Sequence, residues 1–564
     1  MSQEHIEYVM AELRYYVKLQ RANLDSGTKL SIVDMAWTMD IDDDDPLVQD
    51  FKRHVDTLER VPARDQDWTT IGDIEPKEKR GVFVYTSHAR LESKCKVLRL
   101  ISPSLCTLLF DKTPLLDCPI KSPLEAVNLQ RFGHIPGSHA AWKQAVRELN
   151  QRMSGDSSYI PVNEEYLDKL DPECRHWLPA DIHVNDDGSV QFKSYINGLH
   201  PGKYPEAYKS IAKVVARCLP ALEQVLTDWE YRRDLRVPYS IDESVRETVP
   251  HPCDIPGFDL DNDAAFDAAI GAWVAGASCT TPLPNAFTEP ERPLKPNSLL
   301  NKDLQVIVKM ENLYHYPGEP NIDDEECQGD GTASEQIVAT IVYYYDIENV
   351  EDIQIEFREG VSTVIPKSRR EWLAYRTLYD VLPIYGESFY YCQSAYFIRI
   401  QQGRVVCYPN VYQHCMNTIR PTDRSKPSHL KMLVLHFVDP SVRILSTSVV
   451  PPQQQEWWNE GVCATLIMRN LPWFVRNAII DNVDMPISFS MAADNRKRLD
   501  DKALTDNDYN NDYISNDDDD DDVDVNYDYG GNDDDDGSVD DDDDFIDHLV
   551  SRFDLIMFEG LFID

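Results

Sequence analysis

Basic charge is scarce in this chain. Its 564 residues carry 55 Lys and Arg against 98 Asp and Glu, a formal net charge of −43. Phosphate contacts need clustered cations, so the deficit argues against nucleic acid as a partner. Long apolar runs are missing too. No window approaches the roughly 18 apolar residues that cross a bilayer. The charged start, Met1 to Tyr16, has no apolar signal core. A membrane is therefore not expected as a partner, and elimination points to a cytoplasmic or nuclear protein that is not secreted. The 12 cysteines form no CxxC and no paired spacing typical of zinc or a disulfide framework. Free thiols in a reducing compartment are the expectation.

Glutamate disappears between residues 500 and 547, which hold 23 Asp, no Glu and one Lys. Such a run cannot bury enough apolar surface to order itself. The sequence predicts a disordered Asp-rich tail over 496–544, with a basic protein as its natural partner. It lacks the ligand spacing and glycine of an EF-hand loop, which argues against specific calcium binding. Arg496-Lys497-Arg498, at its start, reads as a minimal nuclear-import cluster.

With 42% hydrophobic residues, the remainder can build a sizeable core. Residues 3–22 place Ile6, Val9, Met10, Leu13 and Tyr16 or Val17 at helical spacing, within an N-terminal helical and acidic segment, 1–60. A mixed, largely helical region follows over 61–295. Within it, Asp187-Gly188 predicts a hairpin near 181–192, and Pro205 to Trp229 reads as a helix kinked or divided by Pro220. Short strands with turn signals fill 296–460 and suggest an antiparallel barrel or jelly roll. A helical segment over 461–495 and an amphipathic helix over 545–564 complete the chain.

One constellation carries chemistry. Gln328-Gly329-Asp330 precedes the strand Ile337 to Asp346, and His414 follows the turn Tyr408-Pro409-Asn410. A short X-Gly-acid motif with a distant His is the layout of the 2-His-1-carboxylate triad that holds non-haem Fe(II), except that X should be His. Residues i and i+2 of a strand share a face, so Gln328 and Asp330 can both point inward.

Several blocks resemble one uncharacterised fungal family, the "domain of unknown function 4246" (DUF4246) proteins. They are His176-Trp177-Leu178-Pro179, Lys193 to Pro201, Ile337 to Asp346, Tyr408 to His414, His436 to Pro440 and Val450 to Gln454. The family in turn resembles double-stranded β-helix oxygenases that use Fe(II) and 2-oxoglutarate. The resemblance implies an α+β protein with a double-stranded β-helix (jelly-roll) core, flanking helical segments and the disordered acidic tail. It also implies Asp330 and His414 as metal ligands, with Gln328 where the family has His. Leu430 falls where the family has the Arg that resembles the 2-oxoglutarate-gripping cation. Lys431 follows it, but the next residue on a strand faces the other way. The acidic insertion Asn321 to Glu326 departs from the family pattern.

Gln offers an amide oxygen where Fe(II) prefers imidazole nitrogen. Leu leaves a bound carboxylate without its cation. Two readings follow. The first is an Fe(II)/2-oxoglutarate oxygenase with an altered site, completed by Gln328 or a recruited His and acting on an unidentified small molecule or peptide in the barrel. The second is a barrel without cofactors that binds or scaffolds, with the acidic tail as an interaction arm. His436 shares the face of Leu430 and is expected to be a hydrogen-bonded core residue, recruitment as a ligand being the alternative. Parity turns Cys327 and Cys415 away from the metal, and His315 adds little.

Overall fold

The computed structural model of the chain describes residues 3–60, 67–70, 96–127, 133–157, 159–170, 176–232, 286–318, 327–361, 384–385, 391–417, 419–463, 465–481 and 486–496. The Asp-rich tail, the helix expected over 545–564 and the insertion Asn321 to Glu326 lie outside the described residues. In chain order the elements begin with α1 (Gln3–Ala22), β1 (Lys29–Leu30), β2 (Trp37–Asp40), α2 (Pro46–Glu59), β3 (Asp67–Thr70) and β4 (Lys96–Ile101). Next come α3 (His139–Met153), α4 (Glu164–Lys169), β5 (Ala180–Val184), β6 (Val190–Phe192) and α5 (Pro205–Glu230). A strand-rich stretch follows: β7 (Asp303–His315), β8 (Ile337–Glu348), β9 (Val350–Glu351), β10 (Gln354–Val361), β11 (Ile384–Tyr385) and β12 (Tyr391–Arg399). It continues through β13 (Arg404–Pro409), β14 (Tyr412–Met416), β15 (Arg420–Pro421) and β16 (Ser428–Val438), before α6 (Gln455–Cys463), α7 (Leu466–Arg469) and α8 (Trp473–Asp481).

Two compact units result. The first comprises residues 1–237, 282–361 and 392–508, and the second 238–281, 362–391 and 509–564. Of the second unit only β11 and Tyr391 are described. The first is an α+β body of antiparallel strands and packed helices.

Its large sheet runs β1-β2-β13-β8-β16-β7-β4-β3, with the β5–β6 hairpin added along β7. A second sheet has the order β12-β10-β14, and an isolated antiparallel bridge sets Gln328 beside His414 on β14. Strands before residue 296 therefore join the same sheet as those after it, which makes the sheet wider than the stretch 296–460. The edge strands β1–β2 and β3–β4 come from segments whose polar, proline-broken sequence hides a strand period.

Alternation along the central strands makes two cores. On β8, Ile341, Tyr343 and Tyr345 pack outward with Leu433, Leu435 and Phe437 of β16, against α2 and α5. Val342 and Tyr344 point inward with Leu430, Met432 and Val434 of β16, toward Ile355 and Phe357 of β10. The Tyr343-Tyr344-Tyr345 run thus packs on both sides of one strand. On α5, Ile211, Val214, Val215, Cys218, Leu222 and Val225 are fully buried, and each such aliphatic side chain contributes about 1.5–3 kcal/mol. That burial carries α5 unbroken through Pro220, where the sequence suggests a division. Asp45 caps α2 by accepting from the Leu47 N–H at 2.9 Å, and Pro46 opens the first turn. Asp187-Gly188 does close a hairpin, with Gly188 at φ +79°.

Three expectations change. Helix α1 forms as expected, but Ile6, Val9, Met10, Leu13 and Val17 are its exposed face, while Glu12, Tyr15 and Leu19 are buried. Arg496 is not part of a free basic cluster: it donates two hydrogen bonds to Asp67, at 2.5 and 3.0 Å. Cys327 and Cys415 are joined in a disulfide, whereas free thiols are expected from spacing alone. Their 88-residue separation gives no local signature; only the fold brings them together. No described helix is long and apolar enough to cross a membrane.

Candidate metal and carboxylate site

The segment 327–331 is tied down at every residue that matters. Gln328 and His414 exchange backbone hydrogen bonds of 3.1 and 2.9 Å, and the disulfide beside them links Cys327 to Cys415. Asn410 then clamps Asp330: its side chain accepts from the Asp330 N–H at 3.0 Å and donates to the Asp330 carbonyl at 2.9 Å. Gly331 turns the chain at φ +68°, where a Cβ would sit 2.6 Å from Ile337. Only glycine fits that turn without displacement.

These restraints deliver the Asp330 carboxylate onto one row of the large sheet. Thr340 of β8 pairs in register with Tyr408 of β13 on one side and His436 of β16 on the other. The three side chains therefore stand abreast on the inner face. Asp330 Oδ2 accepts hydrogen bonds from the Thr340 hydroxyl at 2.7 Å and the Tyr408 hydroxyl at 3.1 Å. His436 Nδ1 lies 3.7 Å from Oδ2 and 3.0 Å from Thr340 Oγ1. From the opposite sheet, His414 Nε2 lies 3.9 Å from Asp330 Oδ1 and 3.2 Å from the Tyr408 hydroxyl.

Electrostatics match the geometry. Burial opposes ionisation of Asp330, but His414, His436, the Thr340 hydroxyl and Lys309 outweigh it and hold the carboxyl below its ordinary range. Burial pushes His436 down to about 4, against the opposing pull of Asp330, so the imidazole is neutral and its lone pair available near neutral pH. Burial, with Asp330 beside it, drives the Tyr408 phenol up and keeps it a donor. Trp177 packs 5.8 Å from the His436 ring, and Phe357 stacks 6.2 Å from the His414 ring. Aromatic walls thus cover both imidazoles.

The residues singled out from sequence divide clearly. Asp330 and His414 converge. Gln328 lies directly opposite His414, hence on its face, but its side chain is exposed and makes no hydrogen bond among the described residues. Cys415 pairs with Glu356 on the face opposite His414 and Phe357, as parity requires. Leu430 is buried in the inner core, six residues from His436, which on an extended strand is about 20 Å from the row that receives Asp330. Lys431 points to the outer face and pairs with Glu59 at 2.9 Å; the bulge next to it does not turn it inward. His315 ends β7 opposite Ser428, as remote as Leu430. His436 is a hydrogen-bonded core histidine, and it also faces the carboxylate.

Thr340, Tyr408 and Trp177 are the site residues that sequence reasoning misses. Parity along Ile337 to Asp346 would have set Thr340 on the face of Val342 and Tyr344. Nothing local marks it as touching a motif ten residues earlier.

Two imidazoles and one carboxylate are the donor set that Fe(II) takes. Buried His436 Nε2 and His414 Nδ1 have no hydrogen-bond partner among the described residues. The nitrogens that face the carboxylate are the other two, His436 Nδ1 and His414 Nε2, each within 4 Å of it. The three donors are spread too widely to lie all within 4.8 Å of one another. Among the described residues, Cys327, Glu356 and Cys415 form the trio whose donor atoms all fall within 4.8 Å, but there the sulfurs are spent on each other. The Asp330 set fits a divalent metal in donor chemistry; the cysteine set, as a disulfide, does not.

A family profile described as "Protein of unknown function (DUF4246)" matches residues 3–461. The chain belongs to that family. The match of this DUF4246 protein spans α1 to α6 and includes every residue of the site. Among curated proteins nothing matches. Solved structures similar to it include a selenomethionine-labelled Fe(II)/(alpha)ketoglutarate-dependent dioxygenase, TqaL, at 10% identity and TM-score 0.20, covering 55% of this chain and 92% of that one. A bsmA homolog from Methylobium petroleophilum PM1 matches at 9% identity and TM-score 0.18, covering 54% of this chain and 86% of that one. Likeness at this level assigns no role to any residue of the DUF4246 chain.

Proposed function

We propose that this DUF4246 protein is an oxygenase of the Fe(II)/2-oxoglutarate type built on a double-stranded β-helix. Asp330, His414 and His436 would hold the metal. The carrying observation is the Asp330 carboxylate set between two imidazoles at 3.9 and 3.7 Å. The strand order supports the barrel reading: β7, β16, β8 and β13 alternate in one sheet while the Gln328 segment, β14, β10 and β12 alternate in the other. Successive strands thus switch sheets except from β10 to β12, which stay in the second sheet, an alternation of the kind that closes a jelly roll. His436 takes the place left by Gln328 because it is buried, neutral and adjacent to the carboxylate.

Iron, when bound, would supply oxygen activation coupled to decarboxylation of 2-oxoglutarate. The protein's own part is preorganisation. Thr340 and Tyr408 fix the Asp330 carboxylate, Asn410 fixes its backbone, and Trp177 and Phe357 limit water around the imidazoles. The test is succinate formation from 2-oxoglutarate by the Fe(II)-loaded chain without added substrate, followed by NMR. Slow turnover that disappears in Asp330→Asn supports the reading. Absence of turnover together with absence of metal binding would leave the competing one, a barrel that binds without catalysing, which the exposed Gln328 favours.

A further inference from the structure

The second sheet carries three further donor side chains in a single row. Gln328 and His414 exchange two backbone hydrogen bonds. The next pair along that ladder, Cys327 and Cys415, is therefore of the closer, non-hydrogen-bonded kind, with Cα atoms 4.4 Å apart. On its other edge β14 pairs with β10, and there Cys415 stands directly opposite Glu356. Cys327, Cys415 and Glu356 thus lie abreast on the Gln328 segment, β14 and β10, on the face away from His414 and Phe357. Their donor atoms all fall within 4.8 Å of one another. Cys415 is buried, while Cys327 and Glu356 are partly exposed and open the row to solvent. Arg358, two residues along β10 and so on the same face, donates from Nε to Glu356 Oε1 at 3.0 Å. That bond orients the carboxylate through one oxygen, so that the other can coordinate.

Reduction turns this row from a crosslink into a ligand set. Two electrons from a small dithiol break the S–S bond, the dithiol leaves as its cyclic disulfide, and Cys327 and Cys415 become thiols. Soft thiolates suit zinc, whereas carboxylate and water suit manganese and magnesium. We propose that the reduced chain binds one zinc ion through Cys327 Sγ, Cys415 Sγ and the Glu356 carboxylate, with water completing the tetrahedron. Each thiol releases its proton as the metal binds. Two thiolates and a carboxylate exceed a divalent charge by one, and Arg358 offsets the remainder. The ion ties the Gln328 segment to β14 where the disulfide otherwise does, so one junction has an oxidised and a metal-bound form. This site is separate from Asp330, His414 and His436 and does not rest on the oxygenase reading.

Cobalt(II), a spectroscopic stand-in for zinc, tests this on the full-length chain. After reduction with a phosphine, and with oxygen excluded, one equivalent should bring up a near-ultraviolet thiolate-to-cobalt charge-transfer band that added zinc abolishes. The oxidised chain should show no such band, and the Asp330 set, having no sulfur, cannot produce one. Cys327→Ser and Cys415→Ser should each lose it, and Glu356→Gln should weaken zinc binding by about 10-fold or more. No band in the reduced wild type, or the same band in both serine variants, overturns the site. Zinc affinity unchanged in Glu356→Gln overturns the three-donor set. Should the serine variants fail to fold, alkylation of the reduced wild type decides, read by mass spectrometry. Zinc should shield Cys327 and Cys415 from iodoacetamide while exposed Cys118 is still labelled. Equal labelling of the pair with and without zinc refutes the site.

Discussion

Asp330 and His436 face each other across 3.7 Å, carboxylate oxygen to imidazole Nδ1, with the Thr340 hydroxyl bonded to both. This contact gives the site its second imidazole although the position two residues before Asp330 holds Gln. Thr340 is the hinge of the arrangement, since its one hydroxyl meets both side chains.

Thr340→Val removes that hydroxyl at nearly constant volume. Loss of a group that orients metal ligands typically costs about 10–100-fold in affinity. Mn(II) affinity of this variant, measured by calorimetry, should fall within that span while the far-UV circular dichroism is unchanged. Undiminished affinity would show that Asp330 and His436 need no such support.

The pH dependence follows from His436. Its folded-state value of about 4 lies below the ordinary 6.5, so between those values the unfolded chain binds the extra proton. Stability due to this group is therefore intact above pH 6.5 and declines as pH falls toward 4. The decline amounts to about 3 kcal/mol at one proton per pH unit of slope. Urea unfolding with EDTA present should show it, and His436→Gln should flatten the slope. Asp330 acts at lower pH, because its depressed carboxyl contributes stability above its unfolded value that is lost only as pH drops through the folded one.

How far the sequence discloses this site depends on the distance each signal travels. The X-Gly-acid motif and His414 are legible because i and i+2 parity and the turn at Asn410 are local. The outward and inward tyrosines of β8 are legible for the same reason. His436 is not, because its partner comes from a different loop, and parity gives its face without its depth. Order along the chain puts Leu430 at the cation position, whereas the register sets it three inward positions from His436. Cys327 and Cys415 carry no spacing signal, since only the Gln328–His414 bridge makes them neighbours.

The disulfide closes a long loop, so it should matter to stability. Cys415→Ser is expected to lower the unfolding free energy by about 2–4 kcal/mol. A reductant should lower the wild type by the same amount and leave the variant unaffected. Equal sensitivity of both proteins would contradict the pairing.

Away from the site, Arg292 is buried against Asp228, bonded also to Gln224, and Asp228 accepts from the Trp37 indole at 2.6 Å. Burial raises the Asp228 carboxyl despite the guanidinium beside it. Arg292→Met would strand that carboxylate between α5 and β2. A loss of about 3–5 kcal/mol is expected in urea unfolding, the usual cost of breaking a buried pair. Asp228→Asn with Arg292→Met should recover part of it.

The most direct measurement is Mn(II) titration of the purified chain by calorimetry, run on wild type, Asp330→Asn, His414→Ala, His436→Ala and Gln328→Ala. The expected result is one site per chain, weakened about 100-fold or more by each of the first three changes and untouched by Gln328→Ala. Binding that survives His436→Ala but is lost in Gln328→Ala would contradict the assignment of His436 as the replacement ligand. Binding by none of the proteins would contradict a metal site altogether.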